Sequence, residues 1–157
     1  MTRSLPVALG LAALLLGLAL VAAPLAAAEL ETEIADPQPD FDAPRRILLQ
    51  ISTDDPRKIN DTLHNAVNMQ KFYGMDSVEV AIVVFGPGMT ALYKETSPVR
   101  ERVESLLKYN VQFIGCGNTL EATKHSPEEL IDGVDYVQAG VAEIVERQLS
   151  GWTYVHP

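Results

Sequence analysis

Residues 78–85, VEVAIVVF, decide the fold. The run is β-branched and almost unbroken by polar residues. That composition suits a strand covered on both faces, and such strands belong to parallel sheets flanked by helices. Working upstream, RILLQIS at 46–52 reads as a first strand, and Asp55-Pro56 supplies an N-cap acid with proline at the first helical position. Ile59, Leu63, Ala66, Val67 and Tyr73 then recur at helical spacing until Gly74 stops the helix.

Downstream, the loop Gly86-Pro87-Gly88 leads into a short helical stretch, MTALYKE, at 89–95. Ser97-Pro98 opens a second helix with Val99, Val103, Leu106 and Leu107 on one face, ending near Asn110. A third strand, VQFIG, covers 111–115. Asn118 and Glu121 have the spacing of an N-cap and its third-position partner, which predicts a helix opening just after Cys116. Ser126-Pro127-Glu128-Glu129 is a second capping box, with Gly133 ending its short helix. DYVQA at 135–139 reads as a fourth strand and WTYV at 152–155 as a short last one. Between them, Val141, Ile144, Val145 and Leu149 mark one helical face. Strands separated by helices pair in parallel through right-handed crossovers. The expectation is an α/β fold: a three-layer α/β/α sandwich with a mostly parallel sheet of about five strands.

The 157 residues suffice for one such domain, placed at 45–157, and not for two. Residues 1–28 read as a secretory signal peptide. Arg3 precedes a long Leu/Ala/Val run, Pro24 breaks it, and Ala26, Ala27 and Ala28 form a small-residue cleavage site. An uncleaved anchor is the competing reading, because the apolar length approaches that of a spanning helix. With cleavage after Ala28 the mature protein is periplasmic or secreted, with no membrane attachment.

Residues 29–44 carry six acids, no bases and three prolines, and read as a disordered or extended acidic arm. The arm explains much of the net charge of −9, leaving 11 Lys/Arg against 15 Asp/Glu from Arg45 onward. No basic stripe is present, which argues against nucleic acid as a partner.

Cys116 is the only cysteine, so it cannot form an internal disulfide. Three states remain: buried and inert, paired between chains, or free and reactive. It follows the third strand, at the sheet edge where open parallel sheets bind ligands. The start of a helix and the flanking Gly115 and Gly117 favour an accessible, activated thiol. Against that stands the tendency of free cysteine to be buried.

Gly86 and Gly88 end the second strand at the same edge, where their backbone could cradle an anion, although such a loop is more often only a tight strand-to-helix turn. His125 is the histidine nearest in sequence and reads as a surface or capping residue. His64, beside the apolar face of the first helix, reads as a helix-surface or satisfied core residue. No metal-ligand spacing occurs, no cofactor motif is present, and the absence of Cys-x-x-Cys argues against a thiol–disulfide oxidoreductase.

NAVN at 65–68, VVFGPG at 83–88, VQFIGCGNT at 111–119 and AGVAEIVERQLSGWTYVHP at 139–157 together resemble the DsrE/DsrF-like family of small sulfur-relay proteins, which share the YchN-like fold. The resemblance spans nearly the whole of 46–157, and Cys-x-Asn-Thr after a strand is its most specific piece. It implies a three-layer α/β fold assembled as a homotrimer or homohexamer. It also implies sulfur carried as a persulfide on Cys116, with the Gly117 and Asn118 amides stabilising the sulfur anion and Asn65 lining the same pocket. The implied partners are a sulfur donor or acceptor protein or a small thiol. Two functions follow from these observations. One is an exported persulfide carrier or sulfurtransferase using Cys116. The other is a non-enzymatic oligomeric module that binds a small ligand or a protein and in which Cys116 is structural.

Overall fold

The structure, a computed structural model, describes residues 30–157, so the signal-peptide reading lies outside the described residues. The chain divides after Ile34 into two units, and all the regular structure below belongs to the second, Ala35–Pro157. The part of the acidic arm that falls in this unit, 35–44, forms neither helix nor strand. Asp40 organises it locally, its carboxylate accepting from the amides of Asp42 and Ala43 at 3.0 and 2.8 Å.

The strands are β1 (Arg45–Ile51), β2 (Val78–Val84), β3 (Val111–Cys116), β4 (Asp135–Val137) and β5 (Thr153–Tyr154). They form one sheet in the order β4-β3-β2-β1-β5, and every pairing is parallel. The apolar run of β2 is central, as its composition requires. It pairs along its whole length with β1, from Arg45↔Val78 to Ile51↔Val84, and with β3 from Val80↔Val111 to Val84↔Gly115.

Alternate residues of the strands supply two cores. On one face Ile47, Leu49, Ile82, Val84 and Phe113 pack beneath α1 (Pro56–Tyr73), α2 (Arg100–Lys108) and Leu120 of α3 (Gly117–Thr123). On the other, Leu48, Ala81, Val83 and Ile114 meet Ile144 of α4 (Gly140–Leu149). The predicted α/β sandwich is therefore present, with the second face covered, among the described residues, by α4.

Local chemistry sets the helix ends. The Asp55 side chain accepts from the Arg57 amide at 2.9 Å, and Gly74, at φ 86°, closes α1 with its amide on Gln70 O. Ser126 and Glu129 form the expected capping box around a 3₁₀ turn at Pro127–Glu129. Two expectations are corrected. The Gly-Pro-Gly loop is itself the start of a 3₁₀ turn, Gly86–Ala91, rather than a lead-in to a helix at 89–95. The N-cap of α3 is Cys116, so Asn118 is its second residue. The α4 stripe buries Ile144 but leaves Val141, Val145 and Leu149 exposed by 58, 48 and 77 %.

Candidate functional site

The topology selects one place on this sheet. The chain leaves β3 toward α3 on the first face and leaves β4 toward α4 on the second, although β3 and β4 are neighbours. Loops that part to opposite faces open a crevice at the carboxyl ends of the strands. Cys116 is the last residue of β3, paired with Val137 of β4, and sits in that gap.

Two helices begin at the sulfur. Cys116 caps α3, and Gly140 is the first residue of α4, its amide donating to Cys116 Sγ at 3.4 Å. The fit there is tight, because a Cβ on Gly140 would stand 3.3 Å from Cys116 Cβ and 3.2 Å from Val83 Cγ1. Gln138 O lies 4.0 Å from Sγ, where a protonated thiol can donate. Behind the thiol, the Cys116 amide donates to Met89 Sδ at 3.4 Å.

Burial raises the thiol pKa. The hydroxyl of Thr119, followed by the amides of Gly140, Thr119 and Asn118, outweighs that effect, so Cys116 titrates below the ordinary thiol value. The sulfur is activated but not open. Cys116 is only 5 % exposed, which corrects the expectation of an accessible thiol: the Gly140 amide and the Gln138 carbonyl both pack against its sulfur.

The other expected residues fall as follows. Gly117 touches the β4 end of the crevice, where a Cβ would stand 3.1 Å from Val137 O. The Asn118 amide donates to Gln138 O at 2.9 Å and its side chain accepts from Gln138 Nε2, so Asn118 laces the two loops together. Its amide makes the smallest of the contributions to the sulfur. The Gly86 amide donates to Thr119 Oγ1 at 3.0 Å and the Gly88 amide to Phe85 O at 3.2 Å. Both amides are thus committed within the protein. Asn65 is half-buried in mid-α1, nine residues and about 14 Å along the helix from its start at the carboxyl edge. It does not line the cavity beside the thiol.

That cavity has a volume of about 510 Å³ and is walled by Gly86, Met89, Tyr93, Asn118, Thr119 and His125, among others. Cys116 is not itself in the wall, but its helix neighbours Asn118 and Thr119 are, as is Met89, whose Sδ accepts from the Cys116 amide. His125 stacks on Tyr93 with ring centroids 4.1 Å apart, and its Nδ1 is 2.8 Å from Glu129 Oε2. His125, expected at the surface or as a cap, has a place in the cavity wall. Thr119, Gly140 and Gln138 are the contributors that residue-by-residue reading missed. Thr119 was visible only as part of the Cys-x-Asn-Thr motif. Among the described residues no cluster of His, Cys, Asp or Glu is placed to hold a metal, and no helix is long and apolar enough to cross a membrane.

A parallel α/β domain with one activated thiol at its switch point defines the class. The chain belongs to the DsrE/DsrF-like family, whose profile matches residues 46–157. No curated protein matches significantly. Among solved structures, a protein of unknown function from Methanobacterium thermoautotrophicum, MTH1491, is 32 % identical, with a TM-score of 0.69 over 72 % of this chain and 99 % of that one. The Escherichia coli ychN protein, at 17 % identity over 72 % of this chain and 99 % of its own, has a TM-score of 0.61 and shares the fold. BT1422 from Bacteroides thetaiotaomicron, a conserved protein of unknown function, is 13 % identical over 71 % and 93 %, with a TM-score of 0.53.

Proposed function

We propose that this protein carries sulfane sulfur as a persulfide on Cys116. Membership of the DsrE/DsrF-like family suggests a sulfur-relay type of role. The observation that carries the finer reading is the Gly140 amide, the first of α4, donating to Cys116 Sγ at 3.4 Å at the carboxyl end of β3, a contact that favours a thiolate, in line with the lowered thiol pKa. A thiolate is the nucleophile for sulfur exchange. It attacks the outer sulfur of a persulfide donor, R–S–S–H. The new bond joins Cys116 Sγ to that sulfur, the donor S–S bond breaks, and the leaving R–S⁻ takes the proton. The products are the Cys116 persulfide anion and R–SH, with no net oxidation. An acceptor thiolate collects the outer sulfur by the same exchange.

Intact-protein mass spectrometry after incubation with a low-molecular-weight persulfide tests this reading. One added sulfur in the wild type and none in Cys116→Ser supports it. Identical spectra for the two proteins would defeat it.

The burial of Cys116 favours a second reading, a binding module in which the thiol is structural and the cavity beside Thr119 holds the ligand. In that case Cys116→Ala retains ligand or partner binding.

Two further parts of the proposal concern the protein's surroundings. The composition of residues 1–28 supports export to the periplasm or beyond after cleavage behind Ala28, testable by the N-terminal sequence of the mature protein. The exposed Val141, Val145 and Leu149 of α4 support a homo-oligomer with that stripe at the subunit contact.

A further inference from the structure

We propose that the cavity beside α3 binds a small uncharged molecule with an apolar body and one O–H or S–H group, and that His125 Nε2 accepts the hydrogen of that group. In the persulfide reading this molecule is the small thiol that exchanges sulfur with Cys116. The inference rests on that reading for the thiol and on the cavity alone for the binding.

The backbone turns His125 into the wall. Lys124 ends α3 in the left-handed region at φ 59°, and the His125 amide returns to Leu120 O at 3.0 Å. The imidazole then lies on the buried Tyr93, with centroids 4.1 Å apart and planes 26° from parallel. Its Nδ1 is 2.8 Å from Glu129 Oε2. A capping or surface role would need the Glu129 contact alone. The stack on Tyr93 fixes the plane of the ring as well.

Glu129 also fixes the tautomer. Its other oxygen accepts from the Ser126 amide at 2.8 Å, and His125 and that amide hold its carboxyl below the usual carboxylate range. An ionised carboxylate only accepts, so the shared proton sits on Nδ1. The neutral ring therefore presents a lone pair at Nε2, and Nε2 makes no hydrogen bond to a described residue.

The rest of the wall selects the body of the ligand. The threonine hydroxyls are engaged inside the protein: Thr90 donates to Pro87 O at 3.0 Å, Thr123 donates to Thr119 O at 2.7 Å, and Thr119 accepts from the Gly86 amide at 3.0 Å. Asn118 Oδ1 accepts from Gln138. Pro87, Met89 and Ala122 add apolar surface, and none of the residues in the wall is Lys or Arg. An anion would find no counter-charge here and would face the Glu129 carboxylate behind the imidazole. The volume of about 510 Å³ lies within the usual range for a small-molecule site.

The test is methyl NMR of the whole protein labelled at its methionines. Met89 reports on this cavity, and the exposed Met75, in a separate groove with Val67, Leu106 and Tyr109, is the control. Benzyl mercaptan, benzyl alcohol and toluene should each move the Met89 methyl saturably and leave Met75 in place, whereas thiosulfate should move neither. His125→Phe keeps a ring on Tyr93 and removes the acceptor. It should lower the affinity for benzyl alcohol relative to toluene by about fivefold, the loss of one hydrogen bond. Should that variant fail to fold, Ala122→Phe, at an exposed α3 position in the wall, should abolish the Met89 response. A Met89 methyl that ignores the benzyl compounds, a response confined to Met75, saturable thiosulfate binding at Met89, or a folded His125→Phe with an unchanged alcohol-to-toluene ratio would each overturn the inference. Mass spectrometry after benzyl persulfide treatment separates the two proposals. Binding at Met89 without sulfur gain removes the carrier reading and leaves the site. Sulfur gain without a Met89 response removes the site and leaves the carrier.

Discussion

Gly140 and Cys116 come from opposite sides of the switch point, and the first amide of α4 meets the last side chain of β3 at 3.4 Å. The contact exists because β3 and β4 are adjacent while their helices lie on opposite faces. It has little tolerance. The Cβ of Gly140→Ala would press on Val83 and on Cys116 at 3.2 and 3.3 Å. Overpacking of this kind costs about 1–3 kcal/mol, partly offset by the better helix propensity of alanine. Urea unfolding should show a net loss of about 1–2 kcal/mol, and the alkylation profile of Cys116 should shift upward in pH as the amide is displaced.

Gly88→Ala should be more damaging. Its Cβ would lie 2.4 Å from the Ile51 carbonyl oxygen, a backbone atom held in the sheet by β1. The loop must move as a whole, at a cost of about 3 kcal/mol, the upper end of ordinary overpacking. Urea unfolding beside wild type checks the loss.

The lowered Cys116 pKa makes a stability prediction with a definite sign. A group whose folded pKa is depressed contributes stability that is fully present above its unfolded pKa, about 8.5 for a thiol. That contribution disappears as pH falls through the lower folded value. The stability difference between wild type and Cys116→Ser should therefore move in favour of wild type as pH rises from about 6 to about 9. A difference that is flat with pH would show that the sulfur is not held as a thiolate.

Much of the fold was legible because its signals are local. The β-branched run of β2, the Asp55-Pro56 start of α1 and the Ser126–Glu129 capping box all act within a few residues, and all are where the pattern placed them. The site was legible only in outline. Asn118 and Glu121 had the spacing of a capping pair, yet Gln138, twenty residues on, claims the Asn118 side chain, and Cys116 takes the N-cap. The Gly86–Thr119 bond joins residues 33 apart, and no periodicity or motif spacing encodes that meeting. The α4 stripe shows the converse limit, since helical spacing marks an apolar face without saying what covers it.

For that stripe, Val145→Glu is expected to leave the melting temperature of the fold nearly unchanged, because Val145 is 48 % exposed in the single chain. If the stripe is the subunit contact, the same substitution should lower the solution mass measured by light scattering. An unchanged mass would remove α4 from the interface.

The most direct test of the central claim is intact-mass measurement after exposure to a small persulfide, with wild type beside Cys116→Ser. The account predicts a single added sulfur on wild type, removed by a reducing thiol, and none on the variant. A wild type that stays unmodified while its Cys116 alkylates readily would contradict it, since the thiol would then be reachable and nucleophilic yet not a carrier of sulfur.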